Sequence, residues 1–140
     1  MTPFIYHRTV HFSETDAAGV LYFANLLSIS HEAYEASLAT LGIDLATFFR
    51  GQDWAVPIVH AEVNFYQPMV CGDRLQVHLT AHSLRDTEFE CDYQIFIAGQ
   101  ERASSQATTR HVCIDGQQRR RRPLPDILVT WLAQWPCNAD

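Results

Sequence analysis

The sequence predicts an α+β fold in which one long helix packs against a five-stranded antiparallel sheet. Three observations lead to this prediction. A single long amphipathic helix follows the first strand, four alternating segments come after it, and short turns join most of these segments. Short turns imply antiparallel neighbours, and one helix on one face of such a sheet gives an α+β layer architecture. With 140 residues, 47% apolar and 19% charged, the chain fits one domain, with a core over about 4–115 and a tail or short helix over 116–140.

The first two elements are predicted from a change in hydrophobic period. Residues 4–13 alternate with a period of two, which indicates a strand, and a loop containing Gly19 follows over 14–22. From about Phe23, small and apolar residues recur every three or four positions until Gly42, which ends the predicted helix. The predicted buried stripe consists of Leu26, Ile29, Ser30, Ala33, Tyr34, Ser37, Leu38 and Leu41.

The remainder of the chain is predicted to form four strands and a short helix. The strands cover 56–66, 75–82, 89–97 and 103–114, and the helix covers 125–135. A five-stranded sheet wrapped around a single helix is the hotdog fold. Because one helix covers only part of such a sheet, we expect a homodimer with a continuous sheet, or a tetramer built from two dimers.

Composition excludes several classes of function. A net charge of −6 disfavours a nucleic-acid partner, which usually requires a basic balance. No apolar stretch approaches the ~20 residues of a membrane span, and no signal-peptide pattern opens the chain. Four cysteines without a C-x-x-C pair indicate reduced thiols in the cytoplasm. No His or Cys group has zinc spacing along the sequence, so neither a metal nor another cofactor is expected.

Asp16 is the first candidate for a catalytic residue. It lies in the segment Thr15-Asp16-Ala-Ala-Gly19, between the first strand and the start of the helix. A helix start presents free N–H groups and partial positive charge, which suit the oxygen of a reacting carbonyl group. A carboxylate beside it can attack the acyl carbon or activate water. The alternative is that Asp16 only stabilises a turn, and the residue pattern alone favours this alternative.

Two motifs resemble the 4-hydroxybenzoyl-CoA thioesterase family. The first runs from Val10 through Thr15-Asp16-x-x-Gly19 to Tyr22, and the second covers 63–77. The resemblance extends over about 5–115. It implies the hotdog fold and metal-free hydrolysis of an acyl-CoA thioester, with Asp16 as nucleophile or general base. Gly19 and Tyr22 belong to the first motif, and we expect them to contact the substrate.

Shorter stretches resemble one branch of this family, the 1,4-dihydroxy-2-naphthoyl-CoA hydrolases of phylloquinone synthesis in oxygenic phototrophs. They cover 22–23, 31–35, 57–61, 71–75 and 111–114. This resemblance implies a bicyclic aromatic acyl group on CoA. Phe23 stands where many family members have His. Its backbone N–H can polarise the thioester carbonyl, although a core position at the helix start is an equally good interpretation of its side chain.

Other candidates have weaker support. His60 and His111 lie on predicted strands and are candidates to line the acyl pocket, although a histidine on a strand is more often structural. Glu32 and Glu35 on the helix are rival bases, but their positions off the apolar stripe favour a solvated face. Three arginines within a four-residue basic run are candidates to hold the phosphates of CoA, or they belong to a solvated tail. These are Arg119, Arg120 and Arg121, followed by Arg122.

Two other functions stay open at the level of sequence. One is a thioesterase of broader specificity for aliphatic or simple benzoyl esters of CoA. The other is a hotdog domain that binds acyl-CoA or a carrier protein without catalysis. Asp16, in its Thr-Asp-x-x-Gly setting, favours an enzyme over such a binding domain. A hotdog dehydratase is less favoured, because no motif pairs a histidine with an acid.

Overall fold

The helix α1, Phe23–Ala39, is the centre of the structure. The computed structural model describes residues 2–137 of the chain. The predicted stripe from Leu26 to Leu38 is buried, whereas Leu41 is exposed beyond the last turn. Gly42 adopts a φ of +75°, a left-handed conformation that suits glycine and ends the helix where the sequence predicted.

The strands are β1 Phe4–Thr9, β2 Trp54–Ala55, β3 Ile58–Phe65, β4 Arg74–Arg85, β5 Glu88–Ile97, β6 Ser105–Val112 and β7 Ile114–Asp115. Five of them form one antiparallel sheet in the order β1-β4-β5-β6-β3, which confirms the predicted hotdog architecture. The two very short strands, β2 and β7, pair separately with each other.

The sheet has two distinct faces because its side chains alternate. On β4, the residues from Leu75 to Ala81 at every second position are buried toward α1, and β5 shows the same alternation from Phe89 to Ile95. We call the side toward α1 the inner face and the opposite side the outer face. The intervening residues of β4 and β5 therefore belong to the outer face.

The structure differs from the prediction at four places, of which the first is β2 Trp54–Ala55, a short strand that was not predicted. β1 stops at Thr9, because residues 12–14 form a 3-10 turn in which Glu14 accepts a hydrogen bond from the His11 N–H at 2.8 Å. A short helix, α2 Leu45–Phe48, was not predicted. The last predicted strand divides into β6 and β7. The C-terminal helix, α3 Asp126–Gln134, is confirmed, and residues 138–140 of the predicted tail lie outside the described residues.

One edge of the sheet carries exposed apolar side chains. In the part of the chain that the structure describes, β3 pairs with β6 on one side and with no strand on the other, and Ile58, Val59 and Phe65 are all exposed. An unpaired apolar edge is a surface that proteins usually cover.

Among residues 2–137, no helix is both long and apolar enough to cross a membrane.

Candidate active site

A tight loop holds Asp16 beside the start of α1. The Asp16 N–H donates to the Val20 carbonyl at 2.9 Å, and the Gly19 N–H donates back to the Asp16 carbonyl at 3.0 Å. Gly19 has a φ of +80°, so the loop requires a residue that tolerates the left-handed region. Gly19, which was predicted to contact substrate, thus has a backbone role that shapes this loop.

The carboxylate of Asp16 has one engaged oxygen and one open oxygen. Oδ1 accepts the Ala18 N–H at 2.9 Å and, at 3.4 Å, the Val20 N–H. Within residues 2–137, no hydrogen bond reaches Oδ2. The turn-stabilising interpretation of Asp16 therefore accounts for one oxygen, and the second oxygen is available for chemistry.

Within the described residues, no side chain caps the start of α1. The Tyr22 N–H and the Asn25 side-chain amide both donate to the Glu14 carbonyl at 2.9 Å, which ties the loop to the helix. The first turn contains no acidic residue, and the Phe23 N–H finds no acceptor in the part of the chain that the structure describes. This N–H and the partial positive charge of the helix are free to act on an anionic oxygen.

Phe23 is not a core residue. Its side chain is 63% exposed, and its ring centroid lies 4.8 Å from that of Tyr22. These two rings border a cavity of about 430 Å³, which we call the helix-start cavity. Asp16 lines it together with Val20, Leu21, Tyr22, Phe23, Phe65, Tyr66, Gln67, Pro68 and Met69.

Phe65 and Tyr66 are functional candidates that sequence reasoning missed. Both are exposed aromatic residues at the end of β3, and both line the helix-start cavity. The second motif contained Phe65, but nothing in the linear pattern showed that this strand ends opposite Asp16. The order β1-β4-β5-β6-β3 places β3 beside β6, a neighbour only found from the three-dimensional structure.

A second cavity, of about 390 Å³, lies at the other end of β3, and we call it the strand-edge cavity. Its walls come from α1, α2, the start of β3 and the segment after β6. They include His31, Tyr34, Phe48, Phe49, Val56, Pro57, Ile58, His111, Asp115 and Arg119. The structure therefore separates His111 from Asp16 within one chain and places it in a different, aromatic-lined cavity.

His111 is buried and fully hydrogen-bonded. Its Nδ1 lies 3.2 Å from the Val56 carbonyl, and its Nε2 lies 2.9 Å from the Thr109 hydroxyl. The imidazole stacks on the Phe89 ring with centroids 4.6 Å apart and an angle of 8° between the planes. Burial lowers the pKa of His111 from 6.5 to about 4, so the ring is neutral at pH 7 and Nδ1–H donates to Val56.

The basic run divides into residues with different partners. Arg121 forms an ion pair with Glu88, whereas Arg119 and Arg120 make no ion pair within residues 2–137. Arg119 adopts a φ of +58° and lines the strand-edge cavity. Arg122 also makes no ion pair among the described residues, so Arg119, Arg120 and Arg122 are free to hold an anion, whereas Arg121 is already paired with Glu88.

Three other predicted residues do not meet Asp16. His60 is exposed on β3, lines neither cavity, and lies 3.7 Å from Glu62. The two carboxylate oxygens of Glu32 accept from Tyr6 and Arg8, each at 2.8 Å. Glu35 pairs with His31 at 2.8 Å, four residues earlier on α1. Neither glutamate lines the helix-start cavity, which favours Asp16 over both rival bases.

A long helix on a five-stranded antiparallel sheet is the hotdog architecture, and the Asp16 carboxylate lies beside the start of that helix. The profile of the family described as "Thioesterase-like superfamily" matches residues 10–132. The chain therefore belongs to the thioesterase-like superfamily, and the predicted membership of a hotdog thioesterase family is confirmed.

Similar proteins agree with this assignment. A 1,4-dihydroxy-2-naphthoyl-CoA hydrolase of Gloeothece citriformis is 53% identical over 131 residues, which cover 93% of this chain and 92% of that protein. The corresponding hydrolase of Crocosphaera subtropica is 54% identical over 128 residues, covering 91% and 93%. The crystal structure of a 1,4-dihydroxy-2-naphthoyl-CoA thioesterase from Synechocystis is similar with a TM-score of 0.88 and 40% identity, covering 93% and 95%.

Proposed function

We propose that this chain is a cytoplasmic enzyme that hydrolyses 1,4-dihydroxy-2-naphthoyl-CoA to 1,4-dihydroxy-2-naphthoate and CoA in phylloquinone synthesis. One observation carries the catalytic part of this proposal. The open Oδ2 of Asp16 and the unpaired Phe23 N–H lie at the same helix start, beside a cavity lined by aromatic side chains. The relatives with this name, about half identical over nearly the whole chain, support the choice of substrate.

The chemistry follows from these two groups. The Phe23 N–H, aided by the helix dipole, binds the thioester oxygen and stabilises the negative charge that develops on it. Asp16 then acts by one of two routes. Its Oδ2 attacks the acyl carbon and expels the CoA thiolate, and water hydrolyses the resulting anhydride. Alternatively, Asp16 accepts a proton from a water molecule that attacks the same carbon. Phe23 supplies no imidazole, so neither route uses a histidine at this position.

A second copy of the chain completes the site in this proposal. Pairing of two β3 edges in antiparallel fashion covers the exposed apolar strand and places the Phe65 end of one copy against the Ile58 end of the other. The helix-start cavity of one subunit and the strand-edge cavity of its partner then border the same cleft. The aromatic walls of the strand-edge cavity suit a naphthoyl ring, and Arg119 and Arg120 suit the phosphates of CoA. The assembly is a homodimer or a dimer of dimers.

The decisive experiment replaces Asp16 by Asn and measures thiol release from 1,4-dihydroxy-2-naphthoyl-CoA. Asn retains Oδ1 for the Ala18 N–H, so the loop is expected to survive while the charge is lost. We expect kcat to fall by about 10²–10⁴-fold. Glu35→Gln is the matched control, because it removes a carboxylate on α1 that lies outside the helix-start cavity, and it is expected to keep normal turnover. Near-normal turnover by Asp16→Asn would refute the catalytic assignment.

A panel of substrates tests the acyl group separately. Benzoyl-CoA and short aliphatic CoA esters are compared with the naphthoyl ester by their kcat/KM values. We expect the naphthoyl ester to be preferred, because both cavities present mainly aromatic and apolar side chains. A preference for short aliphatic esters would indicate a thioesterase of broader specificity, and no release from any ester would indicate a binding domain.

A further inference from the structure

Three side chains that ligate metals meet on the outer face of the sheet. His82 belongs to β4 and Asp92 to β5, and Cys137 follows α3. The chain after α3 is held there because the Ala81 N–H donates to the Trp135 carbonyl at 2.6 Å. Cys137 is thereby brought beside two strands that are far from it in sequence.

The distances between the three donor atoms fit one tetrahedral ion. Cys137 Sγ lies 3.4 Å from His82 Nδ1 and 3.6 Å from Asp92 Oδ2, and these two atoms are 3.5 Å apart. Usual Zn–S, Zn–N and Zn–O lengths at tetrahedral angles require separations of about 3.6 Å for S···N and S···O and about 3.4 Å for N···O. Each observed separation agrees with its required value to within about 0.2 Å.

Neighbouring residues orient Asp92 and His82 by contacting the atoms of these two side chains that do not face the shared point. Thr108 donates to Asp92 Oδ1 at 3.0 Å, which leaves Oδ2 directed at the shared point. The other nitrogen of His82, Nε2, lies 3.5 Å from Glu90, and Glu90 is held by Arg110 at 3.1 Å. A carboxylate behind a histidine is the usual support of a metal-bound imidazole.

The carboxylates around Cys137 favour a cation at the shared point. Asp92 Oδ2 lies 3.6 Å from Cys137 Sγ, and Glu90 stands behind His82. A divalent cation neutralises a thiolate and a carboxylate together. A thiolate, an imidazole and a carboxylate form a donor set that suits Zn²⁺.

We propose that His82, Asp92 and Cys137 bind one Zn²⁺ ion with the fourth position open to water, and that this ion fastens the segment after α3 to the outer face of the sheet. The site is separate from the helix-start cavity. Asp16 lies near the beginning of β4, because its N–H donates to the Val20 carbonyl and Val20 pairs with Val70, four residues before β4 begins at Arg74. His82 is eight residues further along than Arg74, a distance of about 26 Å on an extended strand.

The test uses the untagged full chain, freed of metal by a chelator and titrated with Zn²⁺ against a chromophoric indicator. We expect one ion per chain, and Co²⁺ is expected to give the visible absorption of four-coordinate cobalt with a thiolate charge-transfer band. Cys137→Ser is expected to lose that band and to bind more than about 100-fold more weakly, and Glu90→Gln about 10-fold more weakly. Cys71→Ser, which changes an exposed cysteine elsewhere, is the matched control and should bind like the parent.

Thermal unfolding gives a second readout that does not depend on catalysis. Zn²⁺ should raise the Tm of the parent and of Cys71→Ser, but not that of Cys137→Ser or Asp92→Asn, because only a ligand bound to the native state stabilises it. Circular dichroism without metal checks that each variant is folded. Absence of stoichiometric Zn²⁺ uptake, or unchanged affinity in both Cys137→Ser and Asp92→Asn, would overturn the proposal. The metal-free protein should retain thioester hydrolysis, so failure here leaves the proposed function untouched.

Discussion

His111 should make the stability of this protein depend on pH between about 4 and 6.5. Burial holds the pKa of this imidazole at about 4 in the folded chain, against 6.5 as its ordinary value. In this window the unfolded chain binds a proton that the folded chain does not bind, so the free energy of unfolding falls as the pH falls. The contribution of the neutral ring to the free energy of unfolding is fully present above about pH 6.5 and is lost progressively as the pH falls to about 4.

The magnitude follows from these two pKa values. At pH 7 His111 is neutral in the folded state and about three-quarters neutral in the unfolded state, and at pH 5 only the unfolded state is largely protonated. Integration of the linkage relation between pH 7 and pH 5 gives a loss of about 2 kcal/mol at 25 °C. A loss of this size is a large fraction of a typical stability of about 5–15 kcal/mol.

Urea unfolding at pH 7, 6 and 5, followed by circular dichroism at one fixed protein concentration, measures this loss. His111→Gln removes the titrating group. Between pH 7 and pH 5, the free energy of unfolding of this variant should therefore fall by about 2 kcal/mol less than that of the parent. His7→Gln, at an exposed position of β1, is the matched control and should follow the parent. If His111→Gln keeps the parent's pH dependence, the buried imidazole is not its source.

Three further predictions concern single contacts. Gly116→Ala should lower the free energy of unfolding by about 1–3 kcal/mol in urea titrations, because a Cβ there would lie 2.0 Å from the Gln52 carbonyl oxygen; parental stability would contradict this close approach. Ser37→Ala should cost about 1–3 kcal/mol by the same measurement, because Ser37 accepts the buried Trp131 indole N–H at 2.9 Å. Arg119→Ala should raise KM for the CoA ester with little change in kcat, whereas Arg121→Ala, already paired with Glu88, should leave KM unchanged; equal effects would refute this division.

The elements of the fold could be predicted because their signals are local. The buried stripe on α1 could be predicted from the spacing of apolar residues alone. The end of the helix could be predicted from Gly42, because glycine readily adopts the left-handed conformation found there. The alternation on β4 and β5 appeared in the sequence because only one face of each strand is buried. β3 is different, since both of its faces are exposed in the single chain. Its place beside β6, and not beside β4, could not be derived from alternation.

The candidate site was only half predictable for the same reason. Asp16 and Phe23 are only seven residues apart, so one short stretch of sequence contains both the carboxylate and the helix start. Phe65 and Tyr66 reach the same cavity only through the order of strands. His111 was predicted to line the acyl pocket, but within one chain it lines the strand-edge cavity and not the helix-start cavity that contains Asp16.

The two oxygens of Asp16 explain why local pattern and family resemblance pointed to different roles. Oδ1 closes the loop by accepting the Ala18 N–H, which is the role that the Thr-Asp-x-x-Gly pattern indicates. That hydrogen bond also fixes the carboxylate against the start of α1, because the same loop is tied to the helix through the Glu14 carbonyl. A carboxylate held by one oxygen leaves the other oriented without further cost in side-chain entropy. The turn role therefore supports the catalytic role that we propose, and the two interpretations of Asp16 are not alternatives.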